Sequence, residues 1–261
     1  MRKKGISNNL VFYDLSIIHP SNLESWYYNI LIWFKSHYQI PTRMAITAPF
    51  IKSKQTMSFK GGHKKLLENS FKDVDSISLF ANIPNHDIDM SDFNLGVFIR
   101  LKENRNSLII CFDNDIIPFT RPYLEELIQQ QAHYFNPGYG ICYQRSFEQG
   151  PLFYAFGMIE GIPNKPEYQY DRSMISKWFH EYGDPETYHV GLLRDIYPLN
   201  ILSHPHLNQD IYGQSLRSWI DSSLNHGELK QLTSDIWSWW VPNEHIDQIR
   251  DDLKDTNILI C

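Results

Sequence analysis

Apolar and polar positions recur along most of the chain, and their period sorts it into short strands and amphipathic helices. "NLVFYDLSII" (9–18) is β-branched and aromatic and predicts a strand. After Pro20, Leu23, Trp26, Tyr27, Ile30, Trp33 and Phe34 recur at three- and four-residue spacing. That spacing predicts a helix, with Ser21 as N-cap and Glu24 completing a capping box. "RMAITAPF" (43–50) predicts a second strand closed by Pro49. From residue 51 to 92 the pattern weakens to a short helix around "HKKLLENSF" and a strand in "SISLFANIP".

"DFNLGVFIRL" (92–101) and "NSLIICFD" (106–113), separated by "KENR", form the clearest hairpin pattern. Thr120 stands as a cap before Arg121-Pro122, and Leu124, Leu127 and Ile128 share one face of the helix that follows. "YGICYQRSF" and "PLFYAFGM" predict two further strands about a turn at Gly150, and "EGIPNKPEYQYD" (160–171) predicts a connection. Beyond it come a helix in "ISKWFHEYG", a helix in "GQSLRSWIDSS", a hairpin from "GELKQL" to "IWSWWVP", a helix from Asn243 to Lys254 and an apolar tail "NILIC". Strands and helices in mixed order, with hairpins, predict an α+β fold: a mostly antiparallel sheet with flanking helices, in an order that fits ferredoxin-like units. One compact domain over 1–261 is expected, with a distinct C-terminal portion from residue 171.

Composition narrows the function. Seven Trp, fifteen Tyr and fifteen Phe make burial of large rings the expected source of stability. A formal net charge of −6, with basic runs confined to "RKK" (2–4) and "HKK" (63–65), argues against nucleic-acid binding. The three cysteines are widely spaced without a CxxC pair, so neither a disulfide framework nor a thiolate zinc site is signalled. Cys111 and Cys142 lie in strand-like runs and read as buried, inert thiols. "MRKKGISNNLVFYDLSII" lacks the unbroken apolar region of a signal peptide, and "YYNILIWF" is too short to span a bilayer. A cytoplasmic protein with no membrane partner is expected.

The stretch richest in chemistry is "GLLRDIYPLNILSHPHLNQD" (191–210), which holds Arg194, Asp195, His204, His206 and Asp210. A zinc site needs three or four converging ligands, and Pro205 restricts how His204 and His206 face one ion. "SHPHLNQDI" predicts a helix start instead, with Ser203 as N-cap and Pro205 in the first turn. Arg194 and Asp195 are expected to anchor the segment to the sheet through a buried salt bridge. Asp87, Asp89 and Asp92 in "HDIDMSD", and Asp113 and Asp115 in "CFDNDIIP", offer carboxylates but lack the central Gly and terminal Glu of a calcium loop. No GxSxG elbow, P-loop, GxGxxG or kinase signature is present, and nothing selects a nucleophile. The expectation is a protein that is not an enzyme and needs no metal or cofactor. A metal-assisted hydrolase using His204 and His206 is the alternative, and a scaffold or adaptor a third reading.

The stretches "GLLRDIYPLNILSHPHLN", "GQSLRSWI", "GELKQL" and "WSWWVPNEHIDQIRDDL", together with "GYGICYQRSFEQGPLFYAFG", resemble bacterial toxin-immunity proteins, including those of type VI secretion. That resemblance implies a stoichiometric inhibitor that binds a cognate effector toxin and blocks its active site. An acidic inhibitor gains association rate against a basic toxin, and buried aromatic anchors supply affinity. The candidate partner-binding residues are Asp87, Asp89, Asp92, Asp113 and Asp115, with Asp247, Asp251 and Asp255 on a C-terminal helix face as a second set.

Overall fold

The computed structural model describes residues 5–16, 20–52, 56–81, 93–101, 106–159, 162–181, 187–188 and 190–260. In chain order its strands are β1 (Ile6–Leu15), β2 (Pro41–Thr47), β3 (Met57–Ser58), β4 (Ser76–Ala81), β5 (Leu95–Arg100), β6 (Ser107–Asp113), β7 (Pro137–Ser146), β8 (Leu199–Leu202), β9 (Asp210–Ile211), β10 (Gln214–Ser215), β11 (Glu228–Gln231) and β12 (Trp237–Trp240). The helices are α1 (Pro20–Ser36), α2 (Phe59–Glu68), α3 (Arg121–Ala132), α4 (Pro151–Phe156), α5 (Gln169–Glu181), α6 (His204–Leu207), α7 (Leu216–Asp221) and α8 (Ile246–Leu253). Ten strands form one sheet in the order β11-β12-β8-β7-β1-β6-β5-β4-β2-β3, and β9 and β10 form a separate ribbon. All pairings between these strands are antiparallel, as an α+β chain with hairpin connections requires.

Near the middle of the sheet, β1 pairs with β6 along one edge and β7 along the other. Leu10 and Phe12 point into one core, Val11 and Tyr13 into the other, which is why this strand reads as a nearly continuous apolar run. The first core packs α1 and α3 on the sheet through Trp26, Ile30 and Phe34 against Leu124, Leu127 and Ile128. Trp26 Nε1 donates to Gln131 Oε1 at 2.9 Å and joins the two helices in that core. The second core collects Ala155 of α4, Ile175 and Trp178 of α5, Trp219 of α7 and Ile249 of α8.

A buried carboxylate ties α3 to the far edge of the sheet. Glu125 accepts from Arg121 Nε at 2.7 Å and Ser238 Oγ at 2.9 Å, and it also pairs with Lys230. Burial opposes its ionisation, but the hydrogen bonds from Arg121, Lys230 and Ser238 outweigh that cost and hold its pKa below the usual carboxylate value.

Several predicted elements shift. Helix α1 begins at Pro20, so Ser21 lies inside its first turn and is not the N-cap. Thr120 occupies the N-cap of α3, but its side chain makes no capping hydrogen bond. "PLFYAFGM" is not a strand: it contains α4, bracketed by Gly150 at φ 59° and Gly157 at φ 70°, with Pro151 in its first turn. β8 pairs with β7 only from Gly140 to Cys142, and past Ser146 the chain turns through Gly150 into α4 instead of returning as a strand. The apolar tail docks in parallel beside Leu193, whose N–H donates to the Ile258 carbonyl at 2.8 Å.

Gly140 stands where β1, β7 and β8 press together: a Cβ there would lie 2.6 Å from the Val11 carbonyl oxygen and 2.8 Å from Ile201 Cδ1. The backbone oxygen has no room to yield. Gly140→Ala is expected to cost about 1–3 kcal/mol, the range for overpacking. Urea unfolding measures it, and a variant as stable as the parent would contradict this packing.

Candidate functional site

The titratable stretch 191–210 folds as an anchor. The Arg194 side chain is 2% exposed, and its guanidinium lies 3.8 Å from the centroid of Trp178 and 4.2 Å from that of Tyr154. Its Nη1 donates to Tyr13 Oη at 2.9 Å, its Nη2 to the Tyr154 carbonyl at 2.8 Å, and its backbone N–H to Tyr139 Oη at 3.2 Å. A planar, weakly hydrated cation suits such an aromatic surround.

Arg194 and Asp195 do not pair with each other, contrary to the simplest reading of their adjacency. Asp195 accepts a two-pronged contact from Arg250 of α8, with Nε at 2.7 Å and Nη2 at 3.0 Å. The two neighbours therefore fasten the segment in two directions, Arg194 to β1 and α4, Asp195 to α8.

His204 and His206 also diverge. Ser203 caps α6 as expected, and its N–H donates to His206 Nδ1 at 3.4 Å. His206 is fully buried, its Nε2 donates to the Leu192 carbonyl at 3.2 Å, and its ring stacks on Tyr139. Burial lowers its pKa to about 4, with the Leu192 hydrogen bond opposing. His204 is exposed, lies edge-on to Trp237 at 4.7 Å and sits 3.9 Å from Asp235. With both nitrogens of His206 engaged inside the core, the two imidazoles cannot share an ion. Among the described residues, no group of three His, Cys, Asp or Glu side chains is arranged to hold a metal. Cys111 and Cys142 are free and buried, and burial raises both thiol pKa values.

Of the acidic candidates, Asp87, Asp89 and Asp92 lie outside the described residues. Asp113 is buried, and its Oδ1 accepts the Asp115 N–H at 3.0 Å, closing the turn after β6. Asn8 of β1 fastens that turn, donating to Asn114 Oδ1 at 3.1 Å and the Ile117 carbonyl at 2.7 Å. Asp115 is exposed, whereas Asp113 presents no free face to a partner. On α8, Asp247 accepts from Arg250 and Asp251 from Lys254, which neutralises part of that face, and Asp255 is exposed.

An open groove of about 540 Å³ lies on the second face of the sheet, at its outer strands. Strands β4 and β5 contribute Phe80 and Phe98 to the second core, while Ser76, Ser78 and Thr47 form a small, polar floor beyond them. Phe156 from the end of α4, Met158 and Phe179 of α5 make an apolar wall, and Asp75 and Arg100 put one charge of each sign at its border. Met158 and Phe179 are each 41% exposed, side chains of a kind normally covered. Ser76 and Ser78 alternate along β4 with the buried Ile77 and Leu79, so the strand turns a polar face toward this groove.

No protein-family model matches this sequence, and no curated protein matches it. The fold is similar to that of Pseudomonas aeruginosa T6SS protein PA0821, with a TM-score of 0.58 and 9% identity over 98% of this chain and 73% of that one.

Arg194→Ala is expected to cost about 3–5 kcal/mol, because it empties a filled aromatic cage and strands its hydrogen-bond partners. Denaturant unfolding checks this, and a fully stable variant would sink the anchor assignment. For His206 the folded pKa of about 4 lies below the ordinary 6.5, so its contribution is present above pH 6.5 and is lost as pH falls toward 4. The loss amounts to roughly 3 kcal/mol. Unfolding curves of the parent and His206→Asn across that window should differ in slope, and parallel curves would refute the burial of a neutral imidazole.

Proposed function

We propose that this protein is a type VI secretion immunity protein, which binds a cognate effector toxin and blocks its active site. The sheet-face groove carries this reading, because Met158 and Phe179 stand exposed as neighbouring apolar anchors over a floor of small hydroxyl side chains. Affinity in protein interfaces concentrates in a few such anchors, surrounded by polar contacts that exclude water. Arg100 and Asp75 at the border set the register of a docked segment through charge complementarity. The net charge of −6 favours fast association with a basic toxin. The likeness in fold to a T6SS protein supports the secretion-system setting, and the cytoplasm is the compartment in which such an inhibitor meets a toxin delivered there.

Two measurements test the proposal. Cells lacking this protein should be killed by sister cells with an active type VI apparatus and be rescued when it is restored; unprotected survival would remove the immunity reading. With the purified effector, calorimetry should give a one-to-one complex. Met158→Asp and Phe179→Asp should each weaken it at least about tenfold, equivalent to about 1.4 kcal/mol. Their thermal midpoints should stay near that of the parent, since both side chains face solvent. Unchanged affinity in both variants would move the interface away from this groove.

A further inference from the structure

The border of the sheet-face groove carries a row of polar side chains that the fold leaves without partners. Thr47 of β2 lies opposite Ser76 of β4, and Ser76 lies opposite Arg100 of β5. Directly opposed residues of antiparallel strands share one face, with Cβ atoms about 5 Å apart. Phe98, two residues before Arg100, enters the second core, so that face of β5 turns Arg100 toward the groove. Two hydroxyls and a guanidinium thus stand side by side, Thr47 exposed, Ser76 and Arg100 half-buried. Among the described residues, none of these three side chains has a hydrogen-bond or ion-pair partner.

Arg100 can only donate, and each hydroxyl rotates to donate beside it. Such a row calls for an anion that accepts several hydrogen bonds at once. Asp75, at the same border, limits the charge of that anion: its exposed carboxylate forms no ion pair with Arg100 and repels a second negative charge, so a single carboxylate fits better than a phosphate dianion. The neighbouring wall of Phe156, Met158 and Phe179 asks for an apolar group next to the carboxylate. Sites for free small molecules enclose most of the ligand, whereas this groove is open and Met158 and Phe179 are each 41% exposed. A side chain carried on a protein suits it, because the body of the partner closes the open side.

We propose, on the reading of this groove as the effector interface, that the partner segment entering it carries an aspartate or glutamate beside an apolar residue. Arg100, Thr47 and Ser76 hold the carboxylate, and the apolar side chain packs on Met158 and Phe179. The acidic group is a local anchor in a partner whose overall charge is basic.

The experiment titrates the full-length protein, isotope-labelled at its methionine methyls, with N-acetyl-glutamyl-leucine amide and follows Met158, assigned with Met158→Leu. A saturable shift is expected, at least about tenfold weaker with N-acetyl-glutaminyl-leucine amide, the scale of one hydrogen bond to a charged group. Arg100→Gln should bring the two peptides to equal affinity and keep the parental thermal midpoint, since the guanidinium has no partner to lose. Inorganic phosphate should not displace the peptide. No saturable shift, equal affinities in the parent, a difference that survives Arg100→Gln, or displacement by phosphate would overturn the proposal. With the effector itself, weakening by Met158→Asp but not by Arg100→Gln would strike the acidic anchor and leave the groove as the interface. Parental affinity in Met158→Asp, Phe179→Asp and Arg100→Gln alike would remove the groove as well.

Discussion

A strand with neighbours along both edges and a core on both faces is closed to water, and β1 is such a strand from Ser7 to Tyr13. Every backbone group it carries must be met by β6 or β7, and every side chain by packing or a hydrogen bond. Its polar start shows how strict this is. Ser7, Asn8 and Asn9 are fully buried, yet Asn9 donates to the Ser7 and Tyr143 carbonyls and Asn8 to the turn after β6. The shape of the Asp113–Ile117 turn is therefore set by a residue at the other end of the first half of the chain. Tyr13 at the far end of β1 supplies the hydroxyl that accepts from Arg194, so the C-terminal half is fastened to the same strand.

From that strand outward the two faces are covered unequally. The first layer, α1 with α3, packs on one face, and the second layer gathers over β1, β7, β8 and β12. The outer strands β2 and β4 contribute small polar side chains to the second face, and the ends of α4 and α5 stop beside them with Phe156, Met158 and Phe179. A groove with an apolar wall and a hydroxyl floor follows from this geometry. Exposed apolar side chains in an open concave surface are the kind of anchor on which recognition depends.

Local signals in the sequence carried well wherever one face of an element is buried. The three- and four-residue spacing from Leu23 to Phe34 became α1, the runs around "KENR" became the β5–β6 pair, and Ser203 capped α6. They failed at "PLFYAFGM", whose continuous apolar run fits a strand as well as a buried helix, and which forms α4 between the left-handed Gly150 and Gly157. Among the candidate carboxylates, Asp113 and Asp115 are indistinguishable in sequence, and the fold buries one and exposes the other.

By itself, the sequence determined the type of most elements and the α+β class, because hydrophobic period, caps and turn residues act over a few neighbouring positions. It also determined that the histidines lack the spacing of a metal helix. Strand order, the aromatic cage around Arg194, the Asp195–Arg250 pair and the sheet-face groove were decided by tertiary structure alone. Each depends on residues far apart in the chain, such as Tyr13 with Arg194 or Arg100 with Phe179, whose meeting is set by how whole layers pack and not by any local pattern.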